Sequence, residues 1–232
     1  MFHRPFFASL IALGLASCSG DLSALDPAGP YAGAIANLWW IMLTGAVSIL
    51  TLVLVLFGLV LFRPGFGRSL SVKGWMIAGG LFLPVPVLMA LMTYGMAQGE
   101  YLIGAWQNEP VMARVEARGA MWRWDFRYPD VGSDVATVET LHIPAGGVVE
   151  VRVTSADVVH SFWIPRLAGK IDAVPGHTTV LRIKADVPGR YAGICAEYCG
   201  TGHAGMRFMV EAHTPETYRQ KLTALTAEGP AP

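Results

Sequence analysis

Residues 195–206 carry the most specific pattern in the chain. They read Cys195-Ala-Glu-Tyr-Cys-Gly-Thr-Gly-His-Ala-Gly-Met206, and His160 lies upstream of them. Thiolate and thioether sulfur select copper, imidazole suits copper or zinc, and a weak axial Met beside Cys and His is typical of copper electron-transfer sites. One Cys would suggest one copper, whereas the spacing Cys-x-x-x-Cys supplies two thiolates that can bridge a pair of metals. The pattern therefore predicts a dinuclear copper centre.

The predicted ligands are sufficient for both ions. They are two bridging thiolates, two imidazoles, one thioether and one backbone carbonyl, supplied respectively by Cys195, Cys199, His160, His203, Met206 and Glu197. Such a centre spreads one unpaired electron over two coppers, so a redox change barely moves the atoms. This property suits fast electron relay better than substrate turnover.

Two other interpretations of the cysteines stay open. Structural zinc prefers four tetrahedral nitrogen or sulfur ligands in a closed site, but a thioether is a weak zinc ligand. A disulfide between Cys195 and Cys199 would be natural in an oxidising compartment. It would leave both histidines and Met206 without a role.

The composition indicates a membrane protein. Hydrophobic residues make up 53% of the chain and charged residues 15%, which is unusual for a soluble domain. Two stretches, 28–62 and 74–99, contain no charged residue, and each exceeds the about 18 apolar residues that indicate a membrane span. We predict a transmembrane helix hairpin over 36–97, with helices at 36–62 and 74–97.

The loop between the two predicted helices sets their orientation. It carries Arg63, Arg68 and Lys73 and no acidic residue, so the positive-inside rule places it in the cytoplasm. Both ends of the chain are then expected on the outer side of the membrane.

The N-terminus resembles a bacterial lipoprotein signal. Arg4 precedes a short apolar stretch, and Leu-Ala-Ser-Cys18 is similar to a lipobox. We predict a signal peptide over 1–17, lipidation of Cys18, and an outer linker over 18–35.

Residues 98–214 are expected to form an all-β domain. Apolar residues alternate in short runs such as Val148–Val153, as in half-buried strands. Gly and Pro separate these runs at the spacing expected of a β-sandwich or barrel. Residues 215–232 are predicted to be a C-terminal helix and tail.

Three stretches resemble subunit II of haem-copper cytochrome c oxidases. They are Val-Thr-Ser-Ala-Asp-Val-Val-His160-Ser-Phe-Trp-Ile-Pro, Gly169-Lys-Ile-Asp-Ala-Val-Pro-Gly176 and the copper loop at 195–206. The resemblance implies two membrane helices followed by a cupredoxin-like Greek-key sandwich. It also implies that electrons from cytochrome c reach a dinuclear copper A centre and then haem in subunit I, where dioxygen is reduced by a proton-translocating oxidase.

The same resemblance implies a location and partners. The location is the bacterial inner membrane, with the copper domain on the periplasmic side. The partners would be cytochrome c, membrane lipid, subunit I with its haem and copper B, and subunit III, with no nucleic acid.

Trp122 is the residue where electrons would enter by this resemblance. It lies in Gly119-Ala-Met-Trp-Arg-Trp124, which is similar to the family's aromatic stretch. The alternative is that Trp122 and Trp124, two residues apart, both belong to the core on one face of a strand.

Several acids are candidates for partner binding. Asp125, Asp130 and, above all, Asp157 are expected to form an acidic face for a basic cytochrome, with attraction that weakens as salt rises; the alternative is ordinary solvated acids. The carboxylate of Glu197 is a hard oxygen ligand that can help to bind magnesium or manganese at the boundary with subunit I.

The family often carries a Glu before the second helix, at the entrance of a proton channel. This chain has Leu70-Ser-Val-Lys-Gly74 there, and no channel is assigned to it.

Other functions compete with the oxidase interpretation. The same copper module can serve a haem-copper nitric oxide reductase, because the substrate is chosen in the partner subunit. A quinol oxidase subunit would have the fold without the copper ligands. A protein of another class, a membrane-anchored copper-binding or delivery protein, would favour exposed and exchangeable ligands.

Overall fold

The computed structural model describes residues 18–69, 71–107, 109–131 and 135–228. The predicted signal peptide at 1–17 lies outside this part of the chain. The described residues form two compact units: those within 37–107 form one, and those within 18–36 and 109–228 form the other.

The first unit contains the apolar helical segments, apart from the first seven residues of the first helix. The helical segments are α1 (Pro30–Phe62), α2 (Val72–Ile77), a π-helical turn (Ala78–Phe82) and α3 (Pro84–Gln107). Two stretches, Pro30–Phe62 and Val72–Glu100, are long and apolar enough to cross a membrane, with mean hydropathies of 2.7 and 2.0. Large apolar side chains along both stretches are exposed within the chain.

Both helices extend beyond the predicted limits. Helix α1 begins at Pro30 rather than at 36, because a Pro at the first helical position loses no backbone hydrogen bond and has a helical φ already. Helix α3 continues to Gln107, and the first strand begins at Val111. The prediction that the helix ends at 97 and the β domain begins at 98 was therefore wrong, since a single Glu100 does not interrupt helix formation.

The π-helical turn precedes Pro84. There the backbone N–H of Leu83 donates to the carbonyl of Ala78, five residues earlier. A proline provides no N–H for the helical pattern, and a single π turn is a common local adjustment.

The second unit is a sandwich of two five-stranded sheets. The strands are β1 (Val111–Ala120), β2 (Arg123–Arg127), β3 (Ala136–Val138), β4 (Thr140–Pro144), β5 (Val148–Ser155), β6 (His160–Trp163), β7 (Ile171–Ala173), β8 (Thr179–Ile183), β9 (Gly189–Cys195) and β10 (Arg207–His213). One sheet has the order β3-β2-β1-β5-β8 and the other has β4-β10-β9-β6-β7. Helix α4 (Pro215–Glu228) follows the last strand.

The core lies between the two sheets. Aromatic rings from both sheets meet there at centroid distances of 4.8–6.4 Å, from Trp124, Phe126, Phe162 and Phe208. The alternation predicted for the strands is present, since β1 buries every second side chain. The predicted fold, two apolar helices followed by an all-β cupredoxin-like domain, is confirmed.

Candidate metal centre

Strands β6, β9 and β10 bring the predicted ligands together at one end of their sheet. Cys195 is the last residue of β9 and pairs in register with Phe162, so His160, the first residue of β6, lies close to it. The loop is closed where the N–H of Cys195 donates to the carbonyl of Met206 at 3.0 Å. The N–H of Ala196 donates to the carbonyl of Ser161 at 2.9 Å. The backbone of the sheet therefore fixes both ends of the ligand loop.

The sulfur atoms form the centre of the cluster. Cys195 Sγ and Cys199 Sγ lie 3.8 Å apart, and both cysteines are free and buried. Met206 Sδ lies 3.7 Å from Cys199 Sγ. Since a disulfide requires about 2.05 Å, the two sulfurs are arranged as separate ligands.

Each of the two cysteine sulfurs lies close to a different histidine. His160 Nδ1 lies 3.9 Å from Cys195 Sγ, and His203 Nδ1 lies 3.6 Å from Cys199 Sγ. The carbonyl of Glu197 lies 3.3 Å from Cys195 Sγ. The other four predicted ligands are thus placed around the two cysteine sulfurs.

Asp157 holds the ring of His160 in place. The ring Nε2–H donates to Asp157 Oδ1 at 2.8 Å, which directs Nδ1 toward the cysteines. The N–H of Met121 donates to Asp157 Oδ2 at 2.7 Å. Desolvation raises the pKa of Asp157. The hydrogen bonds from Met121, His160 and Val158 outweigh this effect and lower the pKa to about 2. The carboxylate is therefore ionised and acts as a fixed acceptor for the histidine.

Burial controls the chemistry of the thiols. Burial, together with the neighbouring Cys195, raises the pKa of Cys199 to about 11, so the metal-free thiol keeps its proton at neutral pH. A metal ion bound by thiolates must displace that proton. The thiols thus become negatively charged thiolates only when a metal binds, and thiolates are soft ligands that favour a thiophilic ion.

The donor set fits copper better than the two alternatives. An ion bonded to sulfur at about 2.3 Å fits between two sulfurs 3.8 Å apart. A thioether and a carbonyl at the periphery are weak outer ligands of copper sites and are unusual around zinc. The residues present therefore fit a copper centre.

Comparison with known proteins identifies the family of the chain. The family described as cytochrome c oxidase subunit II, periplasmic domain, matches residues 133–213. Cytochrome c oxidase subunit 2 of Alkalihalophilus pseudofirmus is 30% identical, over 95% of this chain and 67% of that protein. The chain belongs to the cytochrome c oxidase subunit II family of haem-copper oxidases.

Other relatives of this subunit II chain carry two different names. Quinol oxidase subunit 2 of Bacillus cereus is 31% identical, over 91% of this chain and 77% of that protein. Cytochrome c oxidase subunit 2 of Synechocystis sp. is 41% identical, over 51% of this chain and only 34% of that protein. The chain thus spans about a third of the length of the Synechocystis relative.

A solved structure resembles the β unit of this subunit II chain. It is the periplasmic domain of subunit II of cytochrome oxidase from Bradyrhizobium japonicum, with 27% identity and a TM-score of 0.49. The alignment covers 51% of this chain and 96% of that one.

Trp122 and Trp124 do not share a face, so the interpretation of both as core residues was wrong. Trp124 in β2 is fully buried, whereas Trp122 lies in the β1–β2 turn and is 41% exposed. Trp122 Nε1 donates to the carbonyl of Cys199 at 3.2 Å. Its ring lies against Gly200 and Gly202, where a Cβ would contact or overlap it. The turn between the strands breaks the period of two.

The three candidate docking acids have different surroundings. Asp157 supports His160, as described above. Asp125 lies 3.2 Å from Arg123 Nε, and Asp130 lies 3.6 Å from Arg114 Nη1. The two arginines therefore partly offset the negative charges of Asp125 and Asp130.

The carboxylate of Glu197 contacts a lysine, whereas its carbonyl faces Cys195. Glu197 Oε2 lies 3.5 Å from Lys170 Nζ, and Asp172 Oδ1 lies 3.4 Å from the same nitrogen. About half of each side chain is exposed. The two carboxylates and Lys170 form a surface group beside the copper loop.

Sequence reasoning missed two features of this chain. It identified Asp157 as a docking acid and not as the partner of His160, although the spacing of three residues was a signal. It also missed a second group of potential metal ligands, formed by His142, Glu211 and His213. Nothing local in the sequence joins His142 to the other two, because the parallel pairing of β4 with β10 creates that contact.

Proposed function

We propose that this chain receives electrons from cytochrome c at a dinuclear copper A centre and passes them to haem in subunit I of a cytochrome c oxidase. Dioxygen would be reduced in subunit I, by an oxidase that moves protons. The observation that carries the proposal is the pair of buried cysteines 3.8 Å apart, each with its own histidine. Cys195, Cys199, His160 and His203 would hold two copper ions there, which would supply one-electron chemistry.

The residues of the chain would keep these ligands fixed during the redox change. Cys195 and Met206 are joined by a backbone hydrogen bond at the base of β9 and β10. Asp157 fixes the ring of His160, and His160 itself has no exposed surface. Since the ligands are held by strands and by buried contacts, little atomic movement would accompany electron transfer.

The burial of the ligands argues against a copper-delivery protein. Cys195, Cys199 and Met206 are each 5% exposed or less. Delivery requires ligands that a partner can reach and exchange with. A relay, in contrast, benefits from exclusion of water and of competing ligands.

Trp122 is the proposed point where electrons enter. Its indole is exposed, and it contacts the copper loop through the hydrogen bond from Nε1 to the carbonyl of Cys199. An electron arriving at this ring would be one side chain away from a ligand residue.

A basic cytochrome would dock around this tryptophan. Asp157 accepts the N–H of Met121, the residue before Trp122, so its charge lies beside the proposed contact. Asp125 and Asp130 would contribute less, because Arg123 and Arg114 lie next to them. Attraction of this kind weakens with salt.

Glu197 is proposed to have a second role at the boundary with subunit I. Its exposed carboxylate would join oxygen ligands from subunit I around magnesium or manganese, both of which prefer carboxylate and water ligands. Lys170 forms an ion pair with that carboxylate in the isolated chain and would have to move away.

The helices and the family support a proposed location. Two apolar stretches and a periplasmic-domain family fit a two-pass inner-membrane protein. We propose that the β unit lies on the periplasmic side, with the loop that carries Arg63 and Arg68 in the cytoplasm. The exposed apolar helix faces would contact lipid, subunit I and subunit III.

The experiment that tests the proposed donor compares cytochrome c with a quinol. The full chain in detergent is loaded with copper and mixed rapidly with reduced cytochrome c or with a soluble quinol, and loss of the copper absorption is recorded. We expect rapid reduction by cytochrome c, slowed by salt, and much slower reduction by the quinol. Equal or faster reduction by the quinol, in keeping with the quinol oxidase names of some relatives, would contradict the proposal.

A further inference from the structure

A second group of metal-binding side chains lies on the outward face of β4 and β10. The parallel register places His142 directly opposite Glu211, and His213 follows Glu211 by two residues on the same face. Phe208, Val210 and Ala212 of β10 point to the core instead. The alternation of the strand thus separates this group from the core of the sandwich.

The three donor atoms face a common point. His142 Nδ1 lies 3.0 Å from His213 Nε2 and 3.5 Å from Glu211 Oε2. His213 Nε2 lies 4.0 Å from Glu211 Oε2. Ligands that bind one tetrahedral ion at about 2.0–2.2 Å are about 3.3–3.6 Å apart, so the three atoms need to move by only a few tenths of an ångström.

The surroundings hold His142 rigidly and leave the other two ligands accessible. His142 is 4% exposed, and its backbone N–H donates to Tyr128 Oη at 2.8 Å. Helix α4 packs against β4 and β10. His213 and Glu211 are half-buried. This leaves a side from which an ion can enter and a water can complete its coordination.

The charges around the group are mixed. Arg190 Nε lies 3.9 Å from Glu211 Oε1, leaving the second carboxylate oxygen toward the histidines.

We propose that His142, Glu211 and His213 bind one borderline divalent ion, represented by zinc. Two imidazoles and one carboxylate, with no sulfur, suit this class of ion and not copper(I). Met206 directly precedes β10, and Glu211 is five residues further along the chain, or about 17 Å at the rise of a strand. The site is therefore separate from the copper loop, and the proposal does not depend on the copper assignment.

Binding would join the end of β10 to β4 just before α4 begins. His213 is the last residue of β10, and Thr214 Oγ1 accepts the N–H of Thr217 in the first turn of α4. An ion at His213 would therefore fix the point from which the C-terminal helix starts.

The test measures zinc binding by the full chain in detergent, with its copper already loaded. Zinc is titrated in equilibrium dialysis and counted together with copper, and X-ray absorption at the zinc edge identifies its ligands. We expect one zinc per chain with nitrogen and oxygen ligands at about 2.0–2.2 Å and no sulfur. His213→Gln should weaken binding by at least about tenfold, since even loss of a supporting group costs about 10–100-fold.

His177→Gln is the matched control, because His177 is exposed and lies in a turn after β7. It should bind zinc like the natural chain, and an unchanged copper spectrum in each variant shows that the copper domain is folded. Glu211→Gln provides the second test if His213→Gln does not fold. Zinc bound through sulfur at about 2.3 Å, equal affinity in the His213 and His177 variants, or no retained zinc would overturn the proposal.

Discussion

Asp157→Ala should weaken copper binding although Asp157 is not a ligand. The carboxylate accepts the Nε2–H of His160 at 2.8 Å and the N–H of Met121 at 2.7 Å. Without it, the fully buried His160 ring loses the partner that directs Nδ1 toward Cys195. The ring is then free to adopt the other tautomer or to turn away.

The expected magnitude follows from the type of contact. Loss of a partner that orients a metal-binding histidine costs about 10–100-fold in metal affinity, which is about 1.4–2.8 kcal/mol. A buried donor left without a partner costs about 1–3 kcal/mol, and the two values agree. Met121 N–H lies at the surface, where water can replace the carboxylate.

Asp125→Ala is the matched control. Asp125 and Asp157 have similarly exposed side chains, at 28% and 26%, and each substitution removes one negative charge. Asp125 contacts Arg123 and not a ligand, and an exposed pair of this kind contributes about 0–1 kcal/mol. Competition with a copper chelator of known affinity measures both variants.

The outcome separates the two roles considered for Asp157. If it orients His160, only Asp157→Ala releases copper more readily and alters the copper spectrum. If it acts only in docking, both variants bind copper like the natural chain and differ from it only in the rate with cytochrome c. Unchanged copper affinity in Asp157→Ala would refute the reasoning.

Three further predictions concern the loop and the N-terminus. Trp122→Phe removes the hydrogen bond to the copper loop and should slow reduction by cytochrome c without changing the copper spectrum. The control Trp39→Phe in α1 should leave both the rate and the spectrum unchanged. An unchanged rate for Trp122→Phe in rapid mixing would count against the relay. Gly202→Ala places a Cβ inside the Trp122 ring and should displace the indole, slowing the same reaction, while Gly205→Ala has open space around its Cβ and should react normally; equal rates would show that the indole position is unimportant. Mass spectrometry of the mature chain from its native host should find a diacylated Cys18, and an intact Met1 would contradict lipidation.

The sequence was a good guide to the fold wherever a pattern is local. Charge-free stretches longer than a bilayer span marked the two helices, and period-two alternation marked β5. The limits of the helices were less predictable. Pro30 favours a helix start but does not require one, and residues 98–107 contain no strong signal for a helix end.

The ligand loop was equally predictable from the sequence, since five of the six proposed ligands lie within residues 195–206. Contacts made by distant strands were not. Trp122 reaches Cys199 across 77 residues, and His142 reaches His213 across 71. Both contacts depend on which strands become neighbours, and strand order is a property of the whole sandwich.

The most direct test of the central claim is electron paramagnetic resonance of the full copper-loaded chain in detergent, combined with a copper count. A dinuclear centre predicts two coppers per chain, a purple colour and a many-line hyperfine pattern from one electron shared equally by two nuclei. Cys199→Ser should lose this pattern, and Cys18→Ser should keep it. A four-line signal from a single copper in the natural chain, or zinc in place of copper, would contradict the account.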